Sequence, residues 1–410
     1  MITSIAMETA GAPRASSIQN TRTAAALAGL GHRVLLWHTP GNAAQWYRKN
    51  FGAEPPEGLF FIGYEPRGEK LEKKTPFFGA TQRVTNLTRG WMSPAGAPEL
   101  ILTRSPLVLE QLRTGRPALP FMGRARLVLE WQYPESAQLW RGWRRRAKGA
   151  PLKEAVDRLR KWHREEMARV AYADGILYAA RDHERLIKAA GYQGAAEFFP
   201  SGCVAPDAPA DALAERRVEF EFGYIGGIAP ENGVETALEA LARVGTGRML
   251  LLGPGEQAYV EKMKRRVEAL GLAERVEFGG RVEPARVRGQ MRRCGIGLAP
   301  ISRRCGREKR QFASPLKLIE WMAAGVPAIA SDVPSVTGLA RDGIETLIVK
   351  ADDAAALGEA MKRLTGDKGL REKIAGNGLK MAEGLEYAKR AQRVARLAER
   401  MHGRARTGTD

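Results

Sequence analysis

Lys317 and Glu320 stand three positions apart, directly behind Ser314 and Pro315, in the stretch FASPLKLIEWMAAGVPAIASD that runs from Phe312 to Asp332. Serine at an N-cap and proline at the first helical position start helices, and a glycine such as Gly325 stops them. The stretch therefore predicts a loop at Phe312 and Ala313, a helix from Ser314-Pro315 through Ala324, and a strand from Pro327 to Ala330. A helix that begins this way aims unpaired N–H groups and the positive end of its dipole at whatever lies ahead of it. With Lys317 in the first turn, the chemistry is anion binding, most naturally of phosphate. Glu320, further along the same helix, offers a carboxylate to vicinal hydroxyls such as those of a ribose. Phosphate and ribose together make a nucleotide. The competing reading is an ordinary amphipathic helix ahead of a strand, with Lys317 and Glu320 as a solvated pair.

The elements that must carry these residues read as short apolar strands alternating with helices. Ile2 to Met7 is an apolar run, Glu8 to Ser17 a polar loop, Ile18 to Leu30 a helical pattern and Arg33 to Trp37 a buried-type strand. This βαβ unit announces a parallel sheet. The loop after its first strand faces the crevice where such folds bind ligands, and it holds Gly11, Arg14, Ser16 and Ser17. Asn20 reads as a solvated helix residue. Further strands are predicted at Leu59–Tyr64, Leu100–Thr103, Leu127–Trp131, Asp174–Tyr178, Glu221–Ile225, Met249–Leu252, Arg275–Phe278, Ile296–Ile301 and Thr346–Val349. Helices are predicted from Asp182, from Val234, and over Ala354–Leu364, Leu370–Gly376 and Tyr387–Met401. Ala205 to Ala214, APDAPADALA, has the composition of a linker.

A chain of 410 residues is long enough for two domains with full cores, and 44% hydrophobic with 27% charged residues is ordinary for a globular protein. The net charge of +19 is not ordinary and calls for an acidic partner: nucleic acid, anionic lipid headgroups or phosphorylated substrates. No nucleic-acid motif accompanies the charge, so no nucleic-acid partner is expected. From Trp140 to Arg169 the basic residues Arg141, Arg144, Arg145, Arg146 and Lys148 crowd around Trp140 and Trp143, a mixture suited to an anionic membrane surface, to a nucleic-acid surface with the tryptophans stacking on bases or, more plainly, to a solvated loop ahead of an amphipathic helix. His163, among charges in that helix, reads as a surface residue. No apolar run reaches the roughly 18 residues of a membrane span and no signal peptide opens the chain, so a cytoplasmic protein, peripheral on the membrane's inner face, is expected. Cys203, Cys294 and Cys305 show no metal-ligand spacing and read as reduced, with no metal expected.

Ser314, Pro315, Lys317, Glu320, Trp321, Met322, Ala323, Gly325 and Pro327 together resemble the nucleotide-sugar signature of family 4 retaining glycosyltransferases, in particular a subgroup with an SPxKxxEYMAxGxPV pattern. The resemblance implies an α/β protein of the GT-B fold, two Rossmann-like doubly wound domains facing across a cleft. It implies that Ser314, Pro315, Leu316 and Lys317 hold the donor diphosphate and Glu320 the ribose, with Lys317 and Glu320 as the catalytic pair. Gly226-Gly227 resembles the family's first glycine turn, Gly253-Pro254-Gly255-Glu256 its turn lining base and ribose, and Gly279-Gly280-Arg281 the turn framing the nucleobase, with Arg281 a further diphosphate candidate. On the acceptor side the same resemblance points to Arg14, Ser17, Glu130 and Gln132. Four positions depart from the pattern. Gly227 and Asn232 replace an arginine and a lysine that usually neutralise the diphosphate, Gln132 replaces a histidine beside the transferred sugar, and Phe312 replaces a glutamate. Candidates for the missing charge are Arg303, Arg304, Arg307, Lys309 and Arg310, just ahead of the phosphate helix, although that segment also reads as a solvated loop.

The expected organisation is an acceptor-binding domain over 1–205, a donor-binding domain over 206–380, and a helix and tail over 381–410 that cross back to the first domain. The expected function is retaining transfer of a sugar from a nucleotide-diphospho-sugar to a glycan, lipid-linked or other acceptor, with no cofactor. The alternatives are a nucleotide-sugar epimerase and a divergent GT-B protein that binds nucleotide sugar or partners without turnover.

Overall fold

The computed structural model describes residues 2–4, 15–38, 42–63, 99–115, 125–132, 134, 136–137, 139–140, 143, 147, 151–206 and 217–406. The chain divides into two compact units: residues 1–179, 183–200 and 387–410 form the first, and 180–182 with 201–386 the second.

In the first unit, β1 (Ile2–Ser4), β4 (Leu100–Thr103), β5 (Arg126–Trp131), β6 (Gly175–Tyr178) and β7 (Ala195–Phe198) form a parallel sheet in the order β1-β4-β5-β6-β7, while β2 (Val34–His38) and β3 (Leu59–Gly63) form a parallel pair. Strands such as LILT and GILY are buried at every residue because both faces of a parallel sheet are covered. One apolar cluster joins Leu100, Leu102, Val128 and Leu177 to Leu27 of helix Ala15–Gly29 and to Val394, Leu397 and Met401 of helix Tyr387–Arg406. A second joins Ile101, Leu127, Leu129 and Ile176 to Val108, Leu109 and Leu112 of helix Pro106–Gly115 and to Val170, which ends helix Leu152–Val170.

The second unit is a six-stranded parallel sheet of β8 (Phe220–Ile225), β9 (Met249–Leu252), β10 (Val276–Gly280), β11 (Cys294–Ala299), β12 (Ala328–Ser331) and β13 (Leu347–Val349). Its strand order is β10-β9-β8-β11-β12-β13, so the direction of winding reverses between β8 and β11. That reversal opens a crevice at the carboxyl ends of those two strands. Helix Leu316–Ala323 is pressed onto them by Trp321, which is fully buried and donates its indole N–H to Leu298 O at 3.3 Å. A Cβ at Gly297 would stand 2.3 Å from Trp321 Cδ2, and one at Gly223 2.8 Å from its Cη2. Two glycines in neighbouring strands thus let the helix sink onto the sheet and fix what its first turn presents.

Several local readings change. Ser17 lies inside helix Ala15–Gly29 and is buried, and Asn20 is buried rather than solvated, because that face of the helix packs within the unit. Gly376 does not end a helix: Lys368–Glu383 is continuous, and Gly378 packs against Met322, where a Cβ would meet Met322 Cγ at 3.0 Å. Phe312 ends a helix over Arg307–Phe312 and is buried, so half of the basic segment is helical, not loop.

Candidate nucleotide-binding site

At the winding reversal, Lys317 Nζ donates to Tyr224 Oη at 3.3 Å and to Pro300 O at 3.2 Å, and it stands 4.8 Å from the centre of the Tyr224 ring. Tyr224 Oη donates onward to Gly227 O at 2.7 Å, and Asn232 Nδ2 donates to the same carbonyl at 2.8 Å. The oxygens that receive the Lys317 ammonium are neutral, and among the described residues no carboxylate forms an ion pair with it. Loss of water around the side chain lowers its pKa to about 8, with Cys305 and Glu231 pulling weakly the other way. A cation partly stripped of water and held only by dipoles gains more from an arriving anion than a paired one does.

Backbone packed at van der Waals limits surrounds it. Gly226 has φ +150°, and a Cβ there would stand 2.9 Å from Lys317 Cδ. Gly253 has φ +144°, and its Cβ would lie 1.8 Å from Gly226 O. The turns after β8 and β9 are also tied by hydrogen bonds, Gly226 N to Leu252 O at 2.8 Å and Ile228 N to Pro254 O at 2.8 Å. A Cβ on Gly255 would meet Ile228 O at 2.7 Å. Glycine at these positions is a packing requirement that leaves backbone, not side chains, around the lysine.

Ser314 does not cap its own helix. Helix Leu316–Ala323 takes Pro315 as its N-cap, at ψ 68°, with no side-chain cap hydrogen bond. Ser314 Oγ instead accepts Ser201 N–H at 2.9 Å, and Ser314 O accepts Leu316 N–H at 2.9 Å. Glu320 is partly buried; its charge reinforces burial in pushing the Cys203 thiol up to about 12, while Cys203 Sγ donates to Ala382 O at 3.3 Å. Gly226, Gly227, Gly253 and Lys317 therefore come together with Ser314, Pro315 and Leu316 at the helix start, and Glu320 follows on the same helix. Glu256 and Arg281 are exposed, at the carboxyl ends of β9 and β10, one and two strands removed from β8. Sequence reasoning missed Tyr224 and the Pro300 carbonyl. Tyr224 sits in the strand FEFGYI, where it reads as core, and only the fold shows where its hydroxyl ends.

In the first unit, Glu130 is buried. It is 2% exposed, and its Oε1 accepts Arg104 Nη2 at 2.6 Å, Arg390 Nη2 at 2.6 Å and Gln132 Nε2 at 2.8 Å. Burial works to raise its pKa, but the two guanidinium groups outweigh burial and hold it at about 2. Arg390, 3% exposed, also donates to Thr23 Oγ1 at 3.2 Å and to the Phe199 and Pro200 carbonyls, and it stacks 3.6 Å over the Phe199 ring. Gln132 is partly exposed beside this network. Arg14 lies outside the described residues, as do Arg141, Arg144, Arg145, Arg146 and Lys148. Trp140 and Trp143 stack at 5.5 Å, and Arg158 lies 5.6 Å over the Trp143 ring. Among the described residues no three His, Cys, Asp or Glu side chains gather to hold a metal ion, and no helix is long and apolar enough to cross a membrane.

The whole architecture is the GT-B fold of glycosyltransferases. Sucrose-phosphate synthase from Thermosynechococcus elongatus superposes with a TM-score of 0.70 at 20% identity, covering 98% of this chain and 99% of that one. HepE of Anabaena, solved in complex with UDP, does so at 0.67 with 16% identity, over 97% and 100%. Residues 219–367, which carry the lysine, the glycine turns and the helix, match the profile of the family described as Glycosyl transferases group 1. Among curated proteins, the phosphatidyl-myo-inositol mannosyltransferase of Mycobacterium leprae is 30% identical over 174 residues, which span 42% of this chain and 43% of that protein. The lipopolysaccharide core biosynthesis mannosyltransferase LpsB of Rhizobium meliloti is 32% identical over 124 residues, 30% of this chain and 32% of that one. The chain spans less than half the length of these curated relatives.

Proposed function

We propose that the chain is a retaining glycosyltransferase that takes a sugar from a nucleotide-diphospho-sugar and transfers it to a glycan or lipid-linked acceptor in glycan or polysaccharide biosynthesis. The observation that carries this reading is Lys317: a desolvated ammonium at the winding reversal of the second sheet, held by two neutral oxygens and followed by Glu320 on the same helix. The mannosyltransferase relatives and the UDP bound to HepE support the same class of donor. Lys317 and the N–H groups at the helix start hold the diphosphate and stabilise the charge that develops as it leaves, and Glu320 binds the ribose. The departing phosphate takes the acceptor proton, so no protein nucleophile and no metal is required. The first unit binds the acceptor, with Gln132 contributing a neutral hydrogen bond where a proton-exchanging side chain is absent.

Exposed Leu139 and Leu152, 48% and 75% accessible, in the same stretch of chain as the Trp140–Trp143 stack and Arg158, support a peripheral contact with anionic membrane on the inner face of the cell membrane. Flotation with anionic vesicles at low and high salt tests this; no binding at low salt removes it. The reading of the donor site is tested by calorimetric titration of UDP, GDP and ADP into the protein, into Lys317→Ala and into Glu320→Ala. One nucleotide binds, and both substitutions weaken it. Absence of binding at millimolar concentration sinks the reading. The uncharged Gly227 and Asn232 favour a second reading, a GT-B protein that binds donor without turnover. Donor binding with no sugar released to water or acceptor would establish it.

A further inference from the structure

A nucleoside diphosphate brings about three negative charges, and Lys317 with the helix start answers little more than one of them. The turn after β8, where two cations are lacking, has filled itself with neutral groups: Asn232 and Tyr224 both cap the Gly227 carbonyl. The turn that faces it, Pro300 to Cys305, is held against both the loop and the lysine. Ser302 N donates to Glu231 O at 3.1 Å, Cys305 N to Ser302 O at 3.0 Å and Lys317 Nζ to Pro300 O at 3.2 Å, while a Cβ on Gly233 would stand 2.7 Å from Pro300 Cβ.

Arg304 projects from this turn. Its backbone N–H is fixed by Ser302 Oγ at 3.1 Å, and its guanidinium Nη1 lies 2.6 Å from Glu235 Oε2, in the first turn of the helix that follows the neutral loop. Among its neighbours, Arg303 has its backbone N–H tied to Asp352 Oδ2 at 2.7 Å, and the Arg307 side chain donates from Nε to Gln311 at 3.3 Å along its own helix. The Arg304 side chain is 63% exposed, so it is free to leave its partner. Glu235 also receives Lys262 Nζ at 2.8 Å on its other oxygen. Departure of Arg304 therefore does not strand a carboxylate.

We infer that Arg304 is the second diphosphate cation of this chain, held on Glu235 until donor arrives and then transferred to its β-phosphate, with Lys262 remaining as the partner of Glu235. A guanidinium suits the task because it forks onto two phosphate oxygens. The inference rests on the nucleotide reading of the Lys317 site.

The test is calorimetry with UDP, GDP and ADP and the corresponding monophosphates, on the protein and on Arg304→Ala, Glu235→Gln, the double variant and Lys317→Ala. Arg304→Ala is expected to weaken the bound diphosphate about tenfold or more and its monophosphate less than about twofold. Glu235→Gln, which loosens the parking contact, strengthens diphosphate binding a few-fold, and this gain vanishes in the Arg304→Ala background. Equal losses for di- and monophosphate, or an unchanged diphosphate affinity in Arg304→Ala while Lys317→Ala abolishes it, overturn the inference and leave the nucleotide reading intact. If the unmodified protein binds no nucleoside diphosphate, both fall together.

Discussion

Each unit places a charged residue near the carboxyl edge of its sheet, and the two are treated in opposite ways. Glu130, at the end of β5, is buried among Arg104, Arg390 and Gln132 and has its charge fully answered. Lys317, over the ends of β8 and β11, donates to a phenol and a carbonyl and, among the described residues, forms no ion pair. The carboxylate's pKa goes down to about 2 and the lysine's goes down to about 8, but for contrary reasons: cations stabilise the first charge, and desolvation weakens the second. Residue type alone would have flagged both as site candidates. What separates a structural charge from a binding charge is whether the protein has already supplied the partner.

The sharpest way to break the comparison is to remove the answered charge. Glu130→Ala leaves two guanidinium groups without their carboxylate and should destabilise the first unit by about 3–5 kcal/mol, read as a lowered denaturant midpoint. A loss under about 1 kcal/mol would show that water answers those arginines equally well. The same network makes an acid prediction. With a folded pKa of about 2 against an ordinary 4.5, its contribution is present above pH 4.5 and is lost as pH falls toward 2. Glu130→Gln should flatten that part of the acid-unfolding curve.

Removing the unanswered charge should do the reverse. Lys317→Ala is expected to lower nucleoside diphosphate affinity at least tenfold while leaving the thermal midpoint, measured without nucleotide, unchanged or higher, because a desolvated ammonium costs stability. A variant that unfolds instead would place Lys317 with Glu130 as a structural charge.

Smaller, and more specific, is the pH effect. The free ammonium titrates near 8 and a bound diphosphate raises that value, so binding takes up a proton above pH 8 and affinity should fall as pH rises through it. Without nucleotide added, the folded value of about 8 lies below the unfolded 10.5, so unfolding binds protons between them and stability should rise across that window. Titrations in buffers of different ionisation enthalpy would expose the proton, and a flat affinity from pH 7 to 9.5 would contradict the assignment. Gly226→Ala should give the smallest effect of the series, since its Cβ meets the flexible Cδ of Lys317: a few-fold loss of nucleotide affinity from a displaced ammonium, together with the strain of φ +150°.

The fold was legible because parallel strands buried on both faces announce themselves as apolar runs, and because glycines mark the turns that follow them. The grouping of Lys317 with the glycine turns was legible for the same local reason, all of them lying within a few residues of a strand end or helix start. The rest depended on partners remote in the chain. Glu130 and Arg390 are 260 positions apart, and nothing in either neighbourhood declares that one neutralises the other. Ser314 looked like a cap because serine before proline usually is one, yet its hydroxyl is taken by the backbone of Ser201, 113 residues earlier. Asn20 read as solvated because helix periodicity alone does not say which neighbours cover a face.

The membership of helix Tyr387–Arg406 in the first unit sets an order of events during synthesis. Residues 201–386 are contiguous and can complete their sheet as they leave the ribosome, whereas the first unit waits for Val394, Leu397 and Met401 to cover its sheet and for Arg390 to reach Glu130. The unit encoded first is therefore finished last, against the usual amino-to-carboxyl sequence of domain folding. Ribosome-bound chains arrested just after Glu386 should resist protease in the second unit and remain cleavable in the first; equal resistance in both would show that the first unit closes without its final helix.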